Sequence, residues 1–332
     1  MVETFRGQPC IRLHAGNGDT ALVALHGAQV LSWVSGGRER LYLSPKAVFD
    51  GQAAIRGGIP LCFPQFNQRG PLPKHGFARN LAWRADGAQA GEGVTRLSLH
   101  LTDDERSRAW WPQAFAVRLD VGLSEGQLQV ECAVRNTGAV AWDFTIALHS
   151  YLHVDDIAQA RLQGLDGCAR WDAVADVRSV QQGPIGFVGE YDSVFASASA
   201  PLQLHDGTHR LDVAQSPTMG QTVVWNPGAA LCARLADMLF TISHGDRLTL
   251  PVSAFFTSTL PSAVFSIDRR KTAMASQAIS SAGVSMAVRI CALRSCGASW
   301  FHTAATGAAR CGGGVRSCSR SGSGSLSFRA RL

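Results

Sequence analysis

The 332-residue sequence predicts an all-β protein, a large antiparallel β-sandwich. Apolar and polar side chains alternate with a period of two in several separate stretches, the pattern of half-buried strands. Tight turns rich in Gly and Asn separate those stretches, and helical periodicity is almost absent. Strands joined by short turns, with few helices to cover them, bury their apolar faces against one another.

The elements follow in order. Residues 10–45 form short alternating runs broken by glycines. Residues 94–101 repeat the pattern, with Val94, Leu97, Leu99 and Leu101. Val117, Leu119, Val121 and Leu123 share another. The turn Ser124–Gln127 follows, and Leu128, Val130, Cys132 and Val134 again lie on one side. After a turn at Asn136-Thr137-Gly138, a third strand is expected from Val140, with Trp142, Phe144, Ile146 and Leu148 inward. Its opposite face then carries Thr145, Ala147, His149, Tyr151 and His153. His149, on an open face near a strand end, is a candidate acid; a surface histidine on a polar face is the plainer alternative. His149 and His153 do not read as a zinc pair. HSYLH lacks the Glu of H-E-x-x-H, and a strand would hold the two Cα atoms about 13 Å apart. No metal site is expected. Residues 161–212 are loop-rich, and Asp192 there could bind a polar ligand or cap a turn. Thr222–Asn226 forms another strand, ended by Pro227-Gly228.

Arg56 to Asn80 is a different kind of segment. Gly57, Gly58, Gly70 and Gly76, with Pro60, Pro64, Pro71 and Pro73, exclude a long helix or a regular central strand. Ile59, Leu61, Phe63, Phe66 and Phe77 supply apolar anchors. The segment therefore reads as a long ordered loop that displays Arg56, Gln65, Arg69, Lys74, His75 and Arg79. No acid occurs between Asp50 and Asp86, so an anion such as phosphate suits it. A solvated basic loop would have the same composition.

The formal net charge of +6 is unevenly spread. Residues 1–238 carry 20 bases against 23 acids, and the remainder eleven bases against two acids. The basic balance thus belongs to the C-terminal part and does not mark the front of the chain as a nucleic-acid binder. That late part also lacks the interleaved aromatics of an RNA-binding segment. MVETFRGQPCIRL shows no signal-peptide pattern. Of nine cysteines without a C-x-x-C pair, Cys10, Cys62, Cys132, Cys168 and Cys232 read as buried thiols of a cytoplasmic protein, and Cys291, Cys296, Cys311 and Cys318 show no metal-ligand spacing. The uncharged stretch Leu248–Ile267 is interrupted by Ser, Thr and two Pro, so no membrane span is expected.

RGGIPLCFPQF (Arg56–Phe66) followed by LPKHGFARN (Leu72–Asn80) resembles the signature of the glucose-6-phosphate 1-epimerases. These are the hexose-6-phosphate mutarotases of the aldose 1-epimerase superfamily. HGAQVLSW, WPQAF, ALHSYLHV, EYDSVF and VVWNPGAALCARLADM agree with it, from near the N-terminus to Met238. The resemblance implies a galactose mutarotase-like supersandwich and interconversion of the α and β anomers of glucose 6-phosphate. It implies no cofactor and a monomer whose only partner is the sugar phosphate. It assigns His149 as the acid. Arg56, Lys74, His75, Arg79 and Asp192 become substrate-binding positions.

The family's base, a Glu after the WNP strand, has no counterpart, since no Glu follows Glu190. Asp246 is a conceivable substitute. Residues 239–332 therefore read as a frameshift or insertion: an aberrant basic tail rich in Ser, Ala, Gly and Arg, without the closing strands. Only Val284, Met286, Val288 and Ile290 alternate as a strand would. The expected domains are an incomplete sandwich, 1–238, and a poorly ordered tail, 239–332. A non-catalytic sugar-phosphate-binding protein on the same fold is the alternative function.

Overall fold

The computed structural model describes residues 1–196, 200–207, 209–239, 241–243, 247–249, 252–259 and 284–294. The chain divides into two units, 1–295 and 296–332; every described residue lies in the first. Cys296, Cys311, Cys318, the final thirty residues and Asp246 lie outside the described residues.

Among the described residues, a ten-stranded and a seven-stranded antiparallel sheet dominate, beside a five-stranded N-terminal sheet. The main core lies between the two large sheets. Val117, Leu119, Val121, Leu128 and Val130 come from the first, and Ile146, Leu148, Phe195 and Val224 from the second, all in one buried cluster. Sheets with one apolar face each must stack in this way, so the predicted sandwich is the observed fold. The hairpin Phe115–Ser124/Gln127–Asn136 turns at Glu125-Gly126, with Leu123 opposite Leu128.

Two sequence expectations need correction. The third strand runs Thr145–Leu152 and does not begin at Val140, which is 71% exposed. Among the described residues its ladder partner, Val252–Thr259, pairs as far as Thr145. Chain beyond Met238 also enters both large sheets. Val252–Thr259 lies between Gln221–Asn226 and Thr145–Leu152. Val284–Arg294 lies between His209–Gln215 and Gln127–Asn136, with Val288 and Ile290 buried. Both large sheets thus have inner strands from the segment that reads as a tail.

The outer face of the seven-stranded sheet carries a smaller cluster of Cys62, Phe66, Ala147 and Val223, with Val194 and Trp225 against it. The loop Arg56–Asn80 approaches this face.

Candidate active site

Phe63 anchors the loop, its ring 5.5 to 5.8 Å from those of Phe115, Phe144 and Trp111. Gln65, expected on display, is instead buried and works as an internal clamp. Its Nε2 donates to the carbonyls of Asn67 and Leu72, and its Oε1 accepts from the Leu72 amide. Gly76 has φ +68°, and a Cβ there would stand 2.2 Å from the Phe63 carbonyl oxygen. Only glycine permits that approach, which seats His75 at the sheet. The Asn67 amide donates to His75 Nδ1 at 3.2 Å, so the neutral ring carries its proton on Nε2.

His149 lies on the face opposite Ile146 and Leu148, as the strand period predicts. It is not solvent-reachable as expected, being only 4% exposed. Its ring stacks on Tyr151 at 4.2 Å, meets His75 edge-on at 5.9 Å and faces Trp225 at 6.4 Å. Alternation sets the face and brings Tyr151 alongside; His75 and Trp225, from elsewhere in the chain, complete the cover. Tyr151 accepts from Arg56 Nη1 at 3.1 Å. The Nε and Nη2 of Arg56 donate to the two carboxylate oxygens of Asp237. Arg79 Nη2 donates to the Lys74 carbonyl, while its Nε–H is buried without a hydrogen-bond partner among the described residues.

Asp192 sits farther along the same face. Tyr151, Ser253, Trp225 and Asp192 occupy one backbone row across four neighbouring strands. Three strand spacings place Asp192 about 14 Å from Tyr151.

The electrostatics follow from burial and charge. Burial draws His75 down to about 3, with Arg79, Lys74 and Arg56 reinforcing it. Burial also pulls His149 well below the ordinary imidazole range, helped by His75, Arg56 and Arg79. Both rings are neutral at pH 7. Burial lifts the Asp192 carboxyl to about 6, against the opposing pull of Lys74. A half-buried carboxyl poised near neutrality can exchange a proton at physiological pH.

The structure therefore brings His149, His75, Arg56, Lys74 and Arg79 together, with Asp192 across the face. Sequence reasoning missed Trp225 and Asp237 as parts of the site; no local pattern announces a contact that depends on chain crossing. Among the described residues, no three His, Cys, Asp or Glu side chains stand together as metal ligands. No helix among them is long and apolar enough to cross a membrane.

Residues 9–245 match the model of the family described as Aldose 1-epimerase. A protein of Cenchrus ciliaris named "Putative glucose-6-phosphate 1-epimerase" is 35% identical over 239 residues, 68% of this chain and 73% of its own. A Salmonella typhimurium protein of the same name is 34% identical, over 66% of this chain and 74% of its own. Among solved structures, a "putative mutarotase" from Salmonella typhimurium superposes with a TM-score of 0.72 at 26% identity, covering 88% of this chain and 93% of that one. A galactose mutarotase-like protein from Clostridium acetobutylicum shares the fold, with a TM-score of 0.64 at 15% identity, over 89% of this chain and 98% of that one.

Proposed function

The chain belongs to the aldose 1-epimerase family, and from that premise we propose that its site takes a hexose 6-phosphate and exchanges the sugar's α and β anomers. One observation carries the phosphate assignment. Arg79, with an unpartnered buried Nε–H, and Lys74 flank the His75–His149 pair in a loop without acids. A dianion accepts from these donors in charge-assisted hydrogen bonds. Arg56 has a different part. Asp237 neutralises it, which suits it to hydroxyl groups, through the N–H bonds that Asp237 and Tyr151 leave free.

The chemistry is proton transfer. A base takes the proton of the anomeric hydroxyl while an acid protonates the ring oxygen. The C1–ring-oxygen bond breaks to give the open aldehyde. Rotation about C1–C2 presents the other face, and the reverse transfers close the ring. His149 is the acid. Its low proton affinity in the free protein is partly the work of neighbouring cations. A bound phosphate dianion cancels that field and raises His149 toward the range an acid needs.

The base is the weak point. No Glu follows Glu190. Of the two carboxylates at the site, Asp237 is committed to Arg56, which leaves Asp192. The missing Glu favours a second reading, binding with little turnover, on the same residues.

Calorimetry tests the phosphate assignment. The wild type is expected to bind glucose 6-phosphate and not glucose. Arg79→Ala is expected to weaken binding about 10- to 100-fold, the loss of a charge-assisted hydrogen bond of about 1.5–3 kcal/mol. Equal affinity for glucose, or an unchanged Arg79→Ala, rules the assignment out.

A further inference from the structure

Beyond Asp192 the outer face of the seven-stranded sheet continues into a groove of about 1030 Å³, part of it open to solvent. Its centre is Trp171. The guanidiniums of Arg69 and Arg178 lie 5.7 and 5.9 Å from the indole centroid. Neither arginine forms an ion pair among the described residues, and both are exposed. Arg170, also on the groove wall, is occupied by Asp172 and the Ser193 hydroxyl. Gln221 and Ser179 add neutral polar groups. The indole N–H donates to Asp176 at 2.8 Å, which holds the ring in place.

The groove adjoins the proposed sugar site. Val194 lines it, two residues from Asp192 on the same strand face. Arg69 comes from the loop that carries Lys74, and its charge acts on Asp192. Distance separates the two places. His149, Phe255, Val223, Val194 and Trp171 form one backbone row across five strands. Four spacings put Trp171 about 19 Å from His149. A hexose with its anomeric carbon at His149 cannot reach Arg178 with its own 6-phosphate, which one ring and one ester arm span. Whatever bridges the two places is longer than one sugar.

We propose that the Arg69–Trp171–Arg178 groove is an extension subsite for a second, anionic glycosyl unit. The ligand it implies is a reducing disaccharide or short oligosaccharide whose distal sugar carries a phosphate. The inference rests on the sugar site proposed above. The distal ring lies along the indole, where aromatic faces take the C–H surface of a sugar. Its phosphate accepts from these two guanidiniums, which have no ion pair among the described residues and whose planar forks match phosphate oxygens.

The test compares glucose 6-phosphate, maltose, and maltose phosphorylated on C6 of its non-reducing ring. Calorimetry is run on wild type and Arg178→Gln, an exposed position where glutamine is tolerated by the fold. Phosphomaltose is expected to bind more tightly than maltose. The ratio of its affinity to that of glucose 6-phosphate is expected to fall about ten-fold in Arg178→Gln. The indole N–H resonance of Trp171, assigned with Trp171→Phe, is expected to shift with phosphomaltose. An unchanged ratio overturns the subsite. So does an equal shift of that resonance by inorganic phosphate alone, which would make the groove a simple anion site. Loss of glucose 6-phosphate binding with phosphomaltose still held through Arg178 would count against the hexose-phosphate reading while sustaining the groove.

Discussion

Asp237 grips Arg56 in a fork: Nε donates to one carboxylate oxygen at 3.0 Å and Nη2 to the other at 3.1 Å. The two residues are 181 positions apart. Arg56 passes the constraint on, because its Nη1 holds the Tyr151 hydroxyl and Tyr151 stacks on His149. The carboxylate thus acts at the histidine through two intermediaries.

Asp237→Ala therefore leaves a half-buried guanidinium without its partner. The expected loss of stability is about 1–2 kcal/mol in urea unfolding, above the usual yield of an exposed pair because the geometry is bidentate. Tyr151→Phe in the same background is expected to add little, since the two act in one chain. Fully additive losses contradict the coupling.

The proposed lack of the family's Glu predicts slow chemistry. A positioned proton-transfer group contributes roughly 10²–10⁴-fold, so half an acid–base pair forfeits most of the acceleration. Anomer exchange of glucose 6-phosphate, followed by NMR, is expected to run close to its uncatalysed rate. A chain whose segment after Met238 is replaced by a Glu-bearing strand is expected to exchange faster. Rapid exchange by the unaltered protein would refute this. Asp192→Asn then becomes the next measurement, since Asp192 is the uncommitted carboxylate at the described site.

Whatever exchange the chain does catalyse is expected to vanish in His149→Asn, which keeps a polar group in the buried position. Glucose 6-phosphate binding is expected to fall less than ten-fold, because the phosphate donors remain. Undiminished exchange removes His149 as the acid.

The desolvated histidines predict acid lability. His75 has a folded pKa near 3, below the ordinary value of 6.5. Below pH 6.5 the unfolded chain takes up a proton that the folded state refuses until about pH 3. The stability is complete above 6.5 and falls with pH through that window, at up to about 1.4 kcal/mol per pH unit per histidine. His149 adds in the same direction. Asp192 opposes it. Its carboxyl is raised from 3.8 to about 6, so the folded state gains relative stability as pH falls through that range. Two histidines against one carboxyl leave a net loss on acidification. Urea midpoints from pH 7 to 4 are expected to fall less steeply in His75→Asn than in the wild type. Parallel slopes contradict the assignment.

Fold class, strand faces and the anchored loop were legible locally. Leu97, Leu99 and Leu101 lie inward because a strand alternates wherever it sits. The same period set the face of His149. Gly76 read as excluding a regular element there, and its backbone is left-handed at φ +68°. The alternation at Val284–Ile290 was visible too, as one isolated strand.

The tertiary structure decided what covers, pairs with or extends those elements. His149 is buried because His75 and Trp225 close over it, beside Tyr151 of its own strand. Gln65 turned inward because the Leu72 backbone came within its reach. Arg56 lost its net charge to Asp237, and Trp171 gained two arginines from a loop and a neighbouring strand. The physical reason is range. Backbone geometry repeats over two to four residues and is written into neighbouring side chains. A contact across 181 positions exists only after the sheets have packed, so it leaves no periodicity to read.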